Sequence, residues 1–155
     1  MKHIVAFLVL STGPAFADCP DPSLDAPFFE ASGPDLIAPQ SWEVRAEGDH
    51  IAPCGTWVVT GVEDDRVRGF LPLAPTARFE LDTMGPHILM VMAEAACSPV
   101  LAVQDSRGVW YFGDTANGRE EVTVWGASDG PLHVWIGSTE QTTCEGTLTL
   151  ETFDR

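Results

Sequence analysis

The sequence predicts an all-β chain folded as an antiparallel β-sandwich, and three observations predict it. Apolar and polar residues alternate with period two in many short runs. Gly, Pro and Asp clusters separate those runs at intervals of roughly ten residues. No stretch keeps apolar residues at i, i+3, i+4 and i+7 over ten residues, as an amphipathic helix requires. Roughly nine or ten short strands, packed as two sheets with their apolar faces inward, satisfy this pattern.

The chain opens on Met1-Lys2-His3, followed by seven apolar residues at 4–10 and the small-x-small string Ala15-Phe16-Ala17. This is the layout of a secretory signal peptide over residues 1–17, with cleavage before Asp18. As a helix, seven residues span about 10 Å, far less than the roughly 30 Å hydrocarbon core of a membrane, so no membrane insertion is expected. Residues 18–40 hold Pro20, Pro22, Pro27, Pro34 and Pro39, which forbid a regular helix or a central strand. They read as an extended, Pro-rich N-terminal arm, pinned to the body by Phe28 and Phe29. Residues 41–155 read as a single β-sandwich domain.

Within that domain Trp42, Val44 and Ala46 alternate with Glu43, Arg45 and Glu47 up to the turn at Gly48-Asp49. Thr56-Trp57-Val58-Val59-Thr60 is a short β-rich run, and Glu63-Asp64-Asp65 an acidic turn. Ala77, Phe79 and Leu81 alternate with Arg78, Glu80 and Asp82, and Met84-Gly85-Pro86 turns the chain. Residues 87–93 and 99–104 are apolar strands. Ser106-Arg107-Gly108 is a hairpin loop with Gly where positive φ is needed. Trp110-Tyr111-Phe112 returns, and residues 114–118 form a polar loop ending in the turn signal Asn117-Gly118. Residues 121–125 alternate, Ser128-Asp129-Gly130 turns, and Leu132, Val134 and Ile136 alternate with His133 and Trp135. Residues 139–146 are a longer loop holding Cys144, and residues 147–151 are a closing strand.

Charge narrows the function. The formal net charge is −15 at pH 7, and loss of Lys2 with the signal peptide makes the remainder one unit more negative. Phosphate binding needs clustered Lys and Arg, so no nucleic-acid partner is expected, nor docking on an anionic membrane surface. A composition of 45% hydrophobic residues, including 9% aromatic, excludes wholesale disorder. The four cysteines Cys19, Cys54, Cys97 and Cys144 form no C-x-x-C. In an exported chain an even count reads as disulfides, with three pairings open. The expected location is therefore secreted or periplasmic.

Each candidate for chemistry has a plain structural reading beside it. Asp105, Asp114, Thr115 and Asn117 offer the oxygens that calcium takes, and equally serve as turn residues. No other cofactor is expected. The tryptophans and Tyr111 could form a stacking platform for sugar or peptide, and are equally good packing residues. Trp135 shares a strand face with His133, opposite Leu132, Val134 and Ile136. Tyr111, His133 and Trp135 are thus the candidate ligand-binding residues, with Trp135 the aromatic expected to be most exposed. His50, His87 and His133 lie in no H-E-x-x-H or H-x-H string, and no Ser lies in G-x-S-x-G. No catalytic residue is assigned and no enzyme activity is expected.

Residues 76–153 resemble the bacterial pre-peptidase C-terminal domain, a jelly-roll-like β-sandwich. The resemblance is carried by Ala77-Arg78-Phe79-Glu80-Leu81 and by Ser98-Pro99-Val100-Leu101-Ala102-Val103-Gln104-Asp105. It continues in Trp110-Tyr111-Phe112, in Asp129-Gly130-Pro131-Leu132-His133-Val134-Trp135-Ile136-Gly137 and in Thr147-Leu148-Thr149-Leu150. Residues 19–61 resemble the front half of a secreted, cysteine-bearing version. Related modules carry consecutive aspartates where this chain has Gly113-Asp114-Thr115. The resemblance implies a non-catalytic exported module accompanying secreted peptidases or other exported enzymes, with a polysaccharide or protein ligand. The topology it implies sets residues 132–137 beside residues 99–105, which implies Cys97–Cys144 and leaves Cys19–Cys54 to tie down the arm. A second reading makes the Pro-rich arm the inhibitory peptide of a protease inhibitor or partner-blocking protein. A third is a carboxylate-dependent hydrolase.

Overall fold

In a computed structural model, the structure describes residues 19–52, 54, 59–60, 68–116 and 119–155. The expected signal peptide, Trp57, the expected turn Glu63-Asp64-Asp65 and Asn117-Gly118 lie outside the described residues. The strands are β1 (Phe28–Ser32), β2 (Gln40–Ala46), β3 (His50–Ala52), β4 (Val59–Thr60), β5 (Gly69–Leu71), β6 (Ala77–Asp82), β7 (His87–Ala95), β8 (Pro99–Gln104), β9 (Trp110–Phe112), β10 (Asp114–Ala116), β11 (Arg119–Val124), β12 (Gly130–Ser138) and β13 (Cys144–Asp154). One sheet runs β1-β6-β12-β8-β9-β4, with β5 attached to β12 and β3 to β5; the other runs β10-β11-β7-β13-β2. The protein is an all-β, jelly-roll-like sandwich with two disulfides; the alternation predicts the sandwich, the cysteine count the disulfides, and the resemblance implies the jelly-roll form.

Alternation places the main core. Phe79, Leu81, Leu101, Val103, Leu132, Val134 and Ile136 of the first sheet meet Leu89, Val91, Val122, Val124, Leu148 and Leu150 of the second. Their partners in alternation, such as Arg78, Glu80 and Asp82, are exposed. Burial of this apolar area is the main stabilising term, at about 25 cal/mol per Å² removed from water. β12 pairs antiparallel with β8 over residues 133–138, ending at Ser138↔Pro99. That end carries the Cys97–Cys144 bridge, while Cys19–Cys54 joins the start of the described chain to the segment after β3.

Several local expectations are corrected. Two of the strand pairs are parallel, β1 with β6 and β4 with β9. Each joins strands far apart in sequence, which allows the long connection that parallel neighbours need. The Pro-rich arm supplies edge strand β1 and a fully buried Leu36; prolines outside residues 28–32 leave that ladder intact. Residues 114–116, read as loop, form β10 against β11. His50, next after the turn at Gly48-Asp49, begins β3. Cys144 starts the last strand instead of lying within a loop.

The largest correction concerns Trp135. Its residues alternate as predicted, so Trp135 does sit on the face of β12 away from the main core. That face is covered, and Trp135 is 0% exposed. Ala52, Leu71, Val100, Ala102, Trp110 and Phe112 pack with it as a second apolar cluster. Its ring lies 4.6 Å from that of Trp110, and its indole N–H donates to the Leu73 carbonyl at 3.4 Å. Strands β3 and β5 cross here, and the approach is close enough to require glycine. A Cβ on Gly137 would lie 1.7 Å from the Phe70 carbonyl oxygen. Trp135→Ala is expected to cost about 3–5 kcal/mol in urea-unfolding free energy, the range for truncating a buried aromatic. An effect below about 1 kcal/mol would mean that the face is open to water.

Candidate functional site

Asp105 and Tyr111, two of the residues singled out from sequence, meet at one hairpin. Asp105 is 6% exposed and closes the β8–β9 hairpin. One carboxylate oxygen accepts the backbone N–H groups of Arg107 at 2.9 Å and Val109 at 3.0 Å. The other accepts from the Arg107 guanidinium and, at 3.1 Å, from the Tyr111 hydroxyl. Arg107 also donates to that hydroxyl at 3.0 Å. Burial, followed by the neighbouring Asp105 charge, raises the Tyr111 phenol above its ordinary range, and its ring packs against the main core. Tyr111 is therefore held as a hairpin fastener.

Asp105 and Asp114 of the expected calcium set stand apart. Asp105 has both oxygens occupied by protein donors. Asp114 lies beyond the other end of β9, a separation of roughly 10 Å at the strand rise, with its carboxylate 3.4 Å from the Arg68 guanidinium. Asn117 lies outside the described residues. Among the described residues no group of three or more His, Cys, Asp and Glu is arranged to hold a metal ion.

His133 stands on β12 between Arg78 of β6 and Gln104 of β8, with its ring 6.0 Å from that of Trp135. Its Nδ1 is buried and has no hydrogen-bond partner. Burial lowers its pKa; Arg78 adds to the shift and Glu80 opposes it. The other histidines lie elsewhere. His50 is next to Asp49, and the buried His87 has Nδ1 3.3 Å from an Asp154 carboxylate oxygen. All four cysteines are oxidised. Of the tryptophans, Trp110 is buried, while Trp125 at 73% is the well-exposed one among the described residues.

The open concavity lies elsewhere, where the edges of the two sheets face each other. β1 ends one sheet and β2 the other. Part of the seam between them is filled by three rings. Phe29 lies 5.5 Å from Trp42 and 5.3 Å from Phe79, and Trp42 lies 4.8 Å from Phe79. Beyond this plug the seam opens into a cleft of about 400 Å³, within the usual size range of ligand pockets. Pro27, Phe29 and Val44 line it together with Pro72, Ala74, Pro75 and Thr76. Glu43, Arg45, Glu47 and Glu145 form its rim. Arg45 and Glu145 face each other across β2 and β13 at 3.5 Å, an exposed pair worth little in stability. Glu43 and Glu47 have no ion-pair partner among the described residues.

Sequence reasoning missed this cleft. The alternation marks the outward face Glu43, Arg45 and Glu47, but the opposite wall comes from residues 72–76, which carry no period-two pattern. The fold is held there by the backbone N–H of Thr76 donating to the Val134 carbonyl at 2.8 Å, and by the Thr76 hydroxyl accepting the Ile136 N–H at 2.9 Å.

No family model and no curated protein matches the chain. In fold it is similar to the pre-peptidase C-terminal domain of a collagenase from Bacillus anthracis, with TM-score 0.43 and 9% identity over 83% of this chain and 95% of that one. It is also similar to a periplasmic inhibitor of g-type lysozyme from Aeromonas hydrophila, with TM-score 0.41 and 6% identity over 83% of this chain and 100% of that one. These likenesses concern the fold.

The state of His133 gives a pH prediction. Its folded pKa is lowered, so the unfolded chain takes up the proton first as pH falls. The stability of the neutral form is complete above about pH 6.5 and is lost as pH drops from there toward the folded pKa. His133→Asn should remove that share of the decline. Between about pH 7.5 and about pH 5, the urea-unfolding free energy of wild type should fall relative to that of the variant. A constant difference between the two would contradict the assignment.

Proposed function

We propose that this chain is an exported, non-catalytic β-sandwich module that binds a protein partner outside the cytoplasm, as an accessory to secreted enzymes. One observation carries the reading: the cleft between β1 and β2, with an apolar floor and a carboxylate rim, on a frame tied by two disulfides. Disulfides belong to oxidising compartments, and both bridges support an extracytoplasmic location. A rigid frame limits the entropy lost on binding, which favours affinity from a small contact area.

A protein ligand suits the cleft better than a polysaccharide. Sugar platforms need exposed rings on a flat face, whereas here the rings of Phe29 and Trp42 are packed against each other and against Phe79 within the seam, and the walls are aliphatic. The arm does not serve as a free inhibitory peptide in this reading. Its Asp21 and Pro27 are bonded into the body, through Asp21 N–H to the Leu73 carbonyl and Arg78 N–H to the Pro27 carbonyl. The proposed role includes no turnover.

The test is cross-linking by position. A photoreactive residue replacing Ala74, on the cleft wall, is expected to yield a covalent adduct with a protein of the exported fraction. The same residue replacing Thr123, on the far face of β11, is expected to yield none. Equal labelling from both positions, or retention on polysaccharide gels without any protein adduct, would overturn the reading.

A further inference from the structure

We infer that the partner enters the cleft as an extended segment in which basic and apolar residues alternate, and that it adds a strand to the free edge of β2. The inference rests on the protein-binding reading above and specifies what is bound.

The backbone supplies the first argument. β2 is the last strand of its sheet, so alternate residues present N–H and C=O groups away from β13. Among the described residues no backbone bond from residues 40–46 reaches a strand on that side; the Glu47 N–H, donating to the Ile136 carbonyl at 3.1 Å, closes one end of the cleft. The facing walls carry Pro27, Pro72 and Pro75, which have no N–H to give. β1 also ends a sheet, but of its residues only Phe29 lines the cleft, against Glu43, Val44 and Arg45 of β2, so β2 offers the longer free backbone edge there.

The side chains supply the second argument, and they set the pattern. Along β2, Trp42 and Val44 turn toward the core, while Glu43, Arg45 and the following Glu47 are exposed. A strand added beside β2 shares its two faces. Its inward residues would lie on the floor made by Phe29 and Val44. Its outward residues would lie beside Glu43, Arg45 and Glu47, a row whose one cation has Glu145 at 3.5 Å, so the row is negative in balance. The apolar face and the unpaired carboxylates therefore select a strand with apolar residues on one side and Lys or Arg on the other. The formal net charge of −15 extends this complementarity beyond the rim, steering a cationic partner inward and repelling acidic ones.

The probe is a synthetic peptide alternating lysine and valine, compared with one alternating glutamate and valine and with a lysine–valine peptide N-methylated at alternate residues. The unmodified lysine–valine peptide is expected to bind, with hydrogen-exchange protection gained at β2 amides. N-methylation on the ladder side should abolish binding. The exposed double substitution Glu43→Gln/Glu47→Gln should leave the melting temperature in place and weaken binding about tenfold, with less dependence on salt. Equal binding of the glutamate peptide, insensitivity to N-methylation, protection confined to other strands, or no binding would each overturn the inference. If the photoreactive residue at position 74 gives its protein adduct while the lysine–valine peptide fails to bind, strand addition falls and the protein-binding reading stands. If that adduct is also missing, both fall.

Discussion

β12 is apolar on both faces, and covering both is the constraint around which the molecule is organised. Leu132, Val134 and Ile136 point to the space between the sheets, and Trp135 points the other way into a second cluster. A central strand of this composition cannot leave either side to water without exposing a tryptophan or opening the main core. The five-stranded sheet covers one side. The excursion through β3 and β5 covers the other, at an approach so close that residue 137 must be glycine. The positions of Asp105, Tyr111 and His133 follow from that arrangement, since each stands beside or at the end of a strand already committed to one cluster or the other.

The cleft is a consequence of the same layering. Two sheets of different strand number meet at a seam, and the seam has to be filled or left open. Phe29, Trp42 and Phe79 fill part of it with rings in mutual contact. The aliphatic and proline residues next to them are too small to close the rest. The opening lies beside an edge strand whose outward face carries Glu43 and Arg45 and is followed by Glu47. Charged edges discourage unselective strand pairing. Here the same charges leave a cationic strand as the one that can approach without repulsion, so protection and selectivity have a common origin.

Polar groups near the fold's turns are consumed by local geometry. Asp105 accepts from the backbone of its own hairpin and from Arg107 and Tyr111. Asp129 accepts the Met84 N–H at 2.7 Å, and the Thr152 hydroxyl donates to the Gly33 carbonyl at 2.6 Å in the interior. In an acidic chain, abundance of carboxylates therefore says little about ligand chemistry. A carboxylate without a protein partner, beside an apolar floor, is the informative kind, and Glu43 and Glu47 are of that kind among the described residues.

The sequence by itself determined the class of the fold, most strand positions and the sign of the charge. Period-two alternation is a local property: which residues share a strand face does not depend on what that face meets. Thus Ala77, Phe79 and Leu81 were legible as one face, and so were Glu43, Arg45 and Glu47. Tertiary structure decided what covers each face, because that depends on where a distant segment crosses. Trp135 was assigned to the correct face and the wrong environment for this reason, and β3, β5 and β10 were too short for periodicity to register. The cleft was illegible for a stronger version of the same reason. Its walls come from residues 27–29, 43–47, 72–76 and 145, and only the packing of two sheet edges brings these segments to one place.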